Sequence, residues 1–224
     1  MMQDFDYEYI ALGNVKKWLH TSMEGFHPDY RLYIHGGGNF REEVATIKPY
    51  KGNRDPTHKP KYSAEIKKYM TDVWNALVVT GIETDDAIAI DQFAADDKST
   101  VIVSIDKDLL YGVPGWSYNP RTDVLEYTTP TAANKFLFWQ MLVGDSADNI
   151  GGAKGIGPKR ANKLLDPCGN DLAACKRVVE EVYKAQHGDS WTDVYIETSR
   201  LLYILRDRSH EKEGHPWLCR PELY

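Results

Sequence analysis

Cysteine is scarce in this chain of 224 residues: Cys168, Cys175 and Cys219 are an odd number without metal-ligand spacing. They give no sign of a thiolate metal site and point to a reducing, cytoplasmic setting. Long apolar runs are missing too. No stretch approaches the ~20 residues that a membrane span requires, and no leader peptide is visible, so no membrane partner is expected. Internal repeats and low-complexity tracts are absent, which leaves an ordinary globular chain. The sequence also lacks the basic excess usual in nucleic-acid binders: 27 Lys and Arg face 33 Asp and Glu, for a net charge of −6.

The charge is unevenly spread. Between Lys48 and Lys68 seven Lys or Arg (48, 51, 54, 59, 61, 67, 68) stand against only Asp55 and Glu65. If the seven carboxylates discussed below bind divalent ions, −6 becomes about +1, so an acidic total is compatible with nucleic-acid binding. The length suits one large domain, or an α/β domain with a helical appendage. Hydrophobic periodicity predicts helices over 7–20, 63–75 and 83–95, the last with Ile88, Ile90 and Phe93 inside, and strands over 31–35, 76–80 and 101–105. A hairpin is expected over 116–118 and 124–128 around Asn119-Pro120. Residues 39–62, basic and broken by Pro49, Pro56 and Pro60, read as a long exposed loop. From 132 onward the pattern is helical: 132–142, 158–165, about 171–186 and 190–206. Strands alternating with helices, then helices alone, predict an α/β fold with a central, mostly parallel sheet and a helical C-terminal part.

Acids gather at the ends of these elements. Glu83, Asp85 and Asp86 follow the strand at 76–80, Asp106 and Asp108 follow the strand at 101–105, and Asp145 and Asp148 lie in GDSADNIGG. In open parallel sheets ligands sit beyond the carboxyl ends of strands, where the first two groups fall. Crowded carboxylates repel one another and need cations, and oxygen-only ligation favours Mg²⁺ or Mn²⁺. Two such ions suit phosphodiester hydrolysis. Next to Asp148, the loop Gly155-Ile156-Gly157 with Pro158 opens a helix carrying Lys159, Arg160 and Lys163. Backbone N–H groups there could form a phosphate nest beside those cations. In the basic loop, Lys51 and Arg54 are three apart, so one turn would aim both at one phosphate, and Tyr50 could stack on an unpaired base.

Four segments in this order, Asn39-Phe40-Arg41 with YKGNRD (50–55), GIETDD (81–86), SIDKDLL (104–110) and GDSADNIGGAKGIGPKRA (144–161), resemble the 5′-nuclease family. That family comprises flap endonucleases and 5′–3′ exonucleases, including small phage replication exonucleases. The resemblance implies a PIN/FEN-like nuclease domain over 1–130, with a basic arch at about 39–62, and a helical region over 131–224. The latter would contain a helix–hairpin–helix (H3TH) that grips duplex DNA and holds K⁺ through loop carbonyls. It further implies that Lys51 and Arg54 contact the scissile phosphate and that the seven acids hold two Mg²⁺ ions, with Mn²⁺ able to substitute. The implied substrate is DNA with a 5′ end, flap or single-strand junction, or an RNA–DNA hybrid, and replication proteins are implied partners.

Two features depart from the family pattern. Its members open on an apolar strand ending in an acidic turn, whereas no apolar strand precedes Asp4 or Asp6 here. The acid expected after the next strand is replaced by His35 and glycines. A gap in the sheet is therefore expected, from truncation, an internal start or a segment made separately. The alternative function is a catalytically weak, structure-specific DNA-binding protein. The segment 166–224 matches nothing specific, and Trp217 is expected to pack on the α/β body.

Overall fold

The computed structural model describes residues 4–25, 29–55, 60–95 and 99–207. Cys219 and Trp217 lie outside them. Helix α1 (Asp4–Met23) packs on α3 (Ser63–Trp74), where Leu19 is buried and the His20 and Trp74 rings meet edge-on. Strand β1 (Tyr33–Gly37) pairs in parallel with β2 (Leu77–Thr80), with Ile34 opposite Val78. Between them, the described residues of the basic segment contribute one short helix, α2 (Arg41–Val44), and a series of turns. Helix α4 (Thr84–Ala94) leads to β3 (Val101–Val103), then to α5 (Lys107–Gly112) and the hairpin β4 (Gly115–Asn119) and β5 (Val124–Thr128). β3 runs parallel to β4, and β4 antiparallel to β5.

The sheet is divided. Among the described residues, β1–β2 and β3–β4–β5 share no ladder. Helix α4 spans both parts: Asp91 accepts from the Tyr33 hydroxyl (2.5 Å) and Arg31 (2.7 Å) on one side, and Gln92 donates to the Trp116 carbonyl (3.0 Å) on the other. Its inner face is narrower than periodicity suggests. Ala89 and Ile90 are buried, but Phe93 is half exposed.

The helical part follows. α6 (Pro130–Val143) starts on a Thr129 cap with Pro130 at its first position, where a missing N–H costs nothing. A two-residue hairpin, β6 (Gly144–Asp145) with β7 (Ile150–Gly151), leads to α7 (Pro158–Leu165), α8 (Leu172–His187) and α9 (Trp191–Leu202). Glycine is obligatory in the hairpin. A Cβ on Gly144 would lie 2.4 Å from the Gly152 nitrogen, and one on Gly152 would lie 2.3 Å from the Val143 carbonyl carbon. Phe138, Met141, Val179, Tyr183 and Leu205 centre one apolar cluster that also takes in Phe40, Tyr50 and Ile90, so both parts share a core. The Tyr183 hydroxyl donates to the Met141 carbonyl, and burial pushes its phenol up to about 12. α9 ends four residues sooner than its periodicity predicts, because the backbone from 201 to 205 is drawn into polar contacts described below.

Candidate active site

The carboxyl ends of β2 and β3, the β6–β7 hairpin and the turn at 50–54 converge on a cavity of about 180 Å³. Six of the seven expected acids line it: Glu83, Asp85, Asp106, Asp108, Asp145 and Asp148, together with Lys51 and Arg54. Local structure explains their placement. Asp106 caps α5, accepting from the Asp108 N–H at 2.9 Å, which turns both side chains toward the same space. Asp145 accepts from the Ala147 N–H at 2.8 Å, and the tight hairpin carries Asp148 back alongside it. Lys51 takes the left-handed conformation (φ 53°), and its N–H donates to the Asp148 carbonyl at 2.9 Å. The turn thereby brings Arg54 and Lys51 onto one carboxylate, with Asp148 Oδ1 at 2.7 and 3.7 Å.

Asp86 is not brought into the cavity. It is fully buried, paired with Arg41 at 2.6 and 2.9 Å, and its remaining acceptor sites are occupied by backbone donors. Tyr50 also departs from expectation, since burial leaves no ring face for stacking on a base. Its single hydroxyl proton is instead shared between Asp148 (2.7 Å) and Glu83 (3.0 Å). Burial, reinforced by the charges of Glu83 and Asp148, raises the phenol well above its ordinary value, so it remains a donor. His35 is exposed and lies away from the cavity lining, with its carbonyl accepting from Lys67 at 2.8 Å. Three residues that sequence reasoning passed over, or quoted without a role, also shape the site. Arg41 lines it, Lys107 bridges Asp108 (2.8 Å) and Asp145 (2.6 Å), and Gln140 donates to Asp108 (2.7 Å). Lys107 stands between two marked acids, and Gln140 is a buried amide on an apolar helix. Both were signals of a polar partner nearby.

The electrostatics call for cations. Burial, with repulsion from Asp106, Glu83 and Asp86, pushes the Asp85 carboxyl up to about 7. Burial also raises Asp108, although Lys107 partly offsets it. In Glu83 burial acts upward but is outweighed by Arg41 and Lys51, and in Asp145 it is outweighed by Lys107, so both acids are lowered. No group of three or more His, Cys, Asp or Glu among the described residues is arranged to hold a metal as it stands. Two ammonium groups stand among the carboxylates: Lys107 as above, and Lys51 against Glu83. Lysine stems are long and flexible, so a divalent ion competes with an ammonium for the same oxygens. The donor set is all carboxylate, which fits hard ions such as Mg²⁺.

Beyond the cavity, α7 buries Ala161 and Leu165 and turns Lys159, Arg160 and Lys163 to solvent. Trp139 on α6 anchors it through Asn162 at 2.7 Å. Gly155 and Gly157 are exposed, and Gly155 is left-handed (φ 73°). Ile156 is buried, and its N–H turns inward to the Ala153 carbonyl, so the loop does not offer an unbroken run of outward N–H groups. If α7 grips duplex DNA as the resemblance implies, Lys159→Ala weakens that binding and lowers the salt slope by about 1, read from affinities across a salt series.

An α/β body and a hairpin-linked helical part that meet at a carboxylate-lined cavity give this chain the fold of solved 5′-nuclease structures. The bacteriophage T5 D15 protein co-crystallized with metal ions is similar over 87% of this chain and 92% of its own (TM-score 0.54, 16% identity). The T5 D15 flap endonuclease in a pseudo-enzyme–product complex with DNA and metal ions is similar over 88% and 91% (TM-score 0.52, 16% identity). In sequence, DNA polymerase I of Treponema pallidum is 32% identical over an alignment of 165 positions that covers 66% of this chain and 16% of that protein. DNA polymerase I of Caldicellulosiruptor bescii is 27% identical over an alignment of 166 positions that covers 64% of this chain and 19% of that protein. The chain thus spans less than a fifth of the length of these curated relatives. No family model matches it.

Proposed function

We propose that this protein is a metal-dependent 5′ nuclease that hydrolyses phosphodiester bonds at or near the 5′ ends of DNA, or of RNA in RNA–DNA hybrids, during replication or repair. The observation that carries this reading is the meeting of six carboxylates with Lys51 and Arg54 in one cavity. Similarity to a T5 flap endonuclease captured with DNA and metal ions supports it.

In this reading Glu83, Asp85, Asp106, Asp108, Asp145 and Asp148 would hold two Mg²⁺ ions, with Mn²⁺ able to substitute. Bound there, such ions would activate water and neutralise charge on the phosphodiester. The rest of the work belongs to the chain. Lys51 and Arg54, freed from Glu83 and Asp148 when a substrate enters, bind and orient the scissile phosphate. Tyr50 keeps Glu83 and Asp148 in place through its hydroxyl. Leu201, Leu202 and Ile204 form an apolar floor that limits water. Lys159, Arg160 and Lys163, with the Gly155–Gly157 loop and K⁺ on its carbonyls, hold the duplex backbone without reading sequence.

A labelled duplex with a 5′ flap tests this directly. Cleavage is expected in millimolar Mg²⁺ and none in chelator, and Lys51→Ala should slow single-turnover cleavage on the order of 10²-fold with little change in duplex affinity. Binding without turnover in either Mg²⁺ or Mn²⁺ would instead favour a DNA-binding protein of weak catalytic power.

A further inference from the structure

We propose that Arg41 and Asp86 form a buried positioning lock that ties the chain after α9 to the start of α4, and that Asp86 serves this lock and not an ion. Arg41 is 2% exposed and Asp86 0%. The guanidinium grips the carboxylate with both ends, Nη1 to Oδ2 at 2.6 Å and Nη2 to Oδ1 at 2.9 Å. Its other donors reach the last turn of α9 and the backbone just after it: Nε to the Leu201 carbonyl at 3.0 Å and Nη2 to the Tyr203 carbonyl at 2.6 Å. Asp86 is equally committed. Oδ1 also accepts from the Leu205 N–H at 2.9 Å, and Oδ2 from the Glu83 N–H at 3.0 Å. Each oxygen therefore has two donors, which uses the acceptor capacity of a carboxylate.

The lock bears on the cavity through two neighbours. Glu83 is the N-cap of α4, and Asp86 returns the bond to its N–H, so the capping box fixes the backbone from which Glu83 and Asp85 project. Arg41 Nη1 also stands 3.6 Å from Glu83 Oε2. Without Asp86, Arg41 would be an unpaired buried charge, and without Arg41 two carbonyls and a carboxylate would be stranded. The chain after α9 would then lose its tether, and the cavity floor with it.

This inference rests on the cavity binding divalent ions, and the experiment separates the two ideas. Mn²⁺ binding is measured by calorimetry on wild type, Asp86→Asn and Asp85→Asn, alongside flap cleavage and melting temperature. Asp86→Asn keeps the shape and the two hydrogen bonds to one oxygen, whereas its amide nitrogen cannot accept the other two. It is expected to bind as many ions as wild type, whereas Asp85→Asn should bind fewer or bind them more weakly. Arg41→Met with Asp86→Leu, an apolar pair of similar volume, is expected to regain the melting temperature lost in Arg41→Met alone, yet to cleave about 100-fold more slowly than wild type, because Glu83 and Asp85 are no longer held. Loss of an ion in Asp86→Asn, or recovery of cleavage along with stability in the double variant, would overturn the lock. If the double variant does not fold, the ion count of Asp86→Asn decides. If wild type binds no Mn²⁺, the proposed function fails instead.

Discussion

Asp106→Ala and Asp108→Ala are each expected to reduce flap cleavage by about 10³-fold or more while leaving duplex binding largely intact. The two side chains leave the end of β3 together, and the capping bond from the Asp108 N–H to Asp106 turns both toward Asp85 and Asp145. Removing either takes a carboxylate from the middle of the cluster, where no other acid can replace it. The duplex-binding cations on α7 lie on a separate element and stay where they are. Asp106→Ala also removes a helix cap, which costs about 1 kcal/mol, so a melting curve must accompany the assay. Asp106→Asn keeps an acceptor for the cap and separates the two effects. Cleavage by either alanine variant at the wild-type rate would remove Asp106 and Asp108 from the ion-binding set.

The second large effect concerns Asp85. Its carboxyl is pushed up to about 7 by burial and by the neighbouring acids, against about 3.9 in an unfolded chain. Between those values the folded protein holds a proton that the unfolded chain has released, so stability falls as pH rises from about 4 to 7. In chelator, Asp85→Asn should therefore be more stable than wild type at pH 8, on the order of 1–3 kcal/mol after allowing for the solvent that reaches the cavity. At pH 4 the two should melt alike. Adding Mg²⁺ should close the gap at pH 8 by stabilising wild type, because the ion binds the deprotonated cluster, and should do little at acid pH. Asp85→Asn is expected to be inactive throughout. Equal stability of the two proteins at pH 8 in chelator would show that Asp85 carries its charge without strain.

Much of the site was legible because its chemistry is local in sequence. Acids directly after β-rich runs fall at strand ends whatever the rest of the fold does. Pro158 likewise specifies where a helix begins. Asp106 and Asp108 share a side because one caps the helix that carries the other, a relation contained within three residues. Tyr50, Asp86 and Ile156 were misjudged for the opposite reason. A tyrosine in a basic loop reads as exposed until Leu137 and Phe138 are seen to share its core, and an acid among acids reads as a ligand until a guanidinium arrives from 45 residues away.

By itself, then, the sequence determined the class of fold, the elements that carry the acids and the cationic face of α7. These depend on propensity, periodicity and capping, which act over a few residues. Tertiary structure alone decided which carboxylates face the cavity and which is withdrawn, that Lys51 and Lys107 stand among them, and that the chain after α9 straightens to meet Arg41. Those outcomes depend on desolvation and charge pairing between segments far apart in the chain. Burial makes an unpaired charge too costly to leave, so packing, not local pattern, assigns each acid its partner.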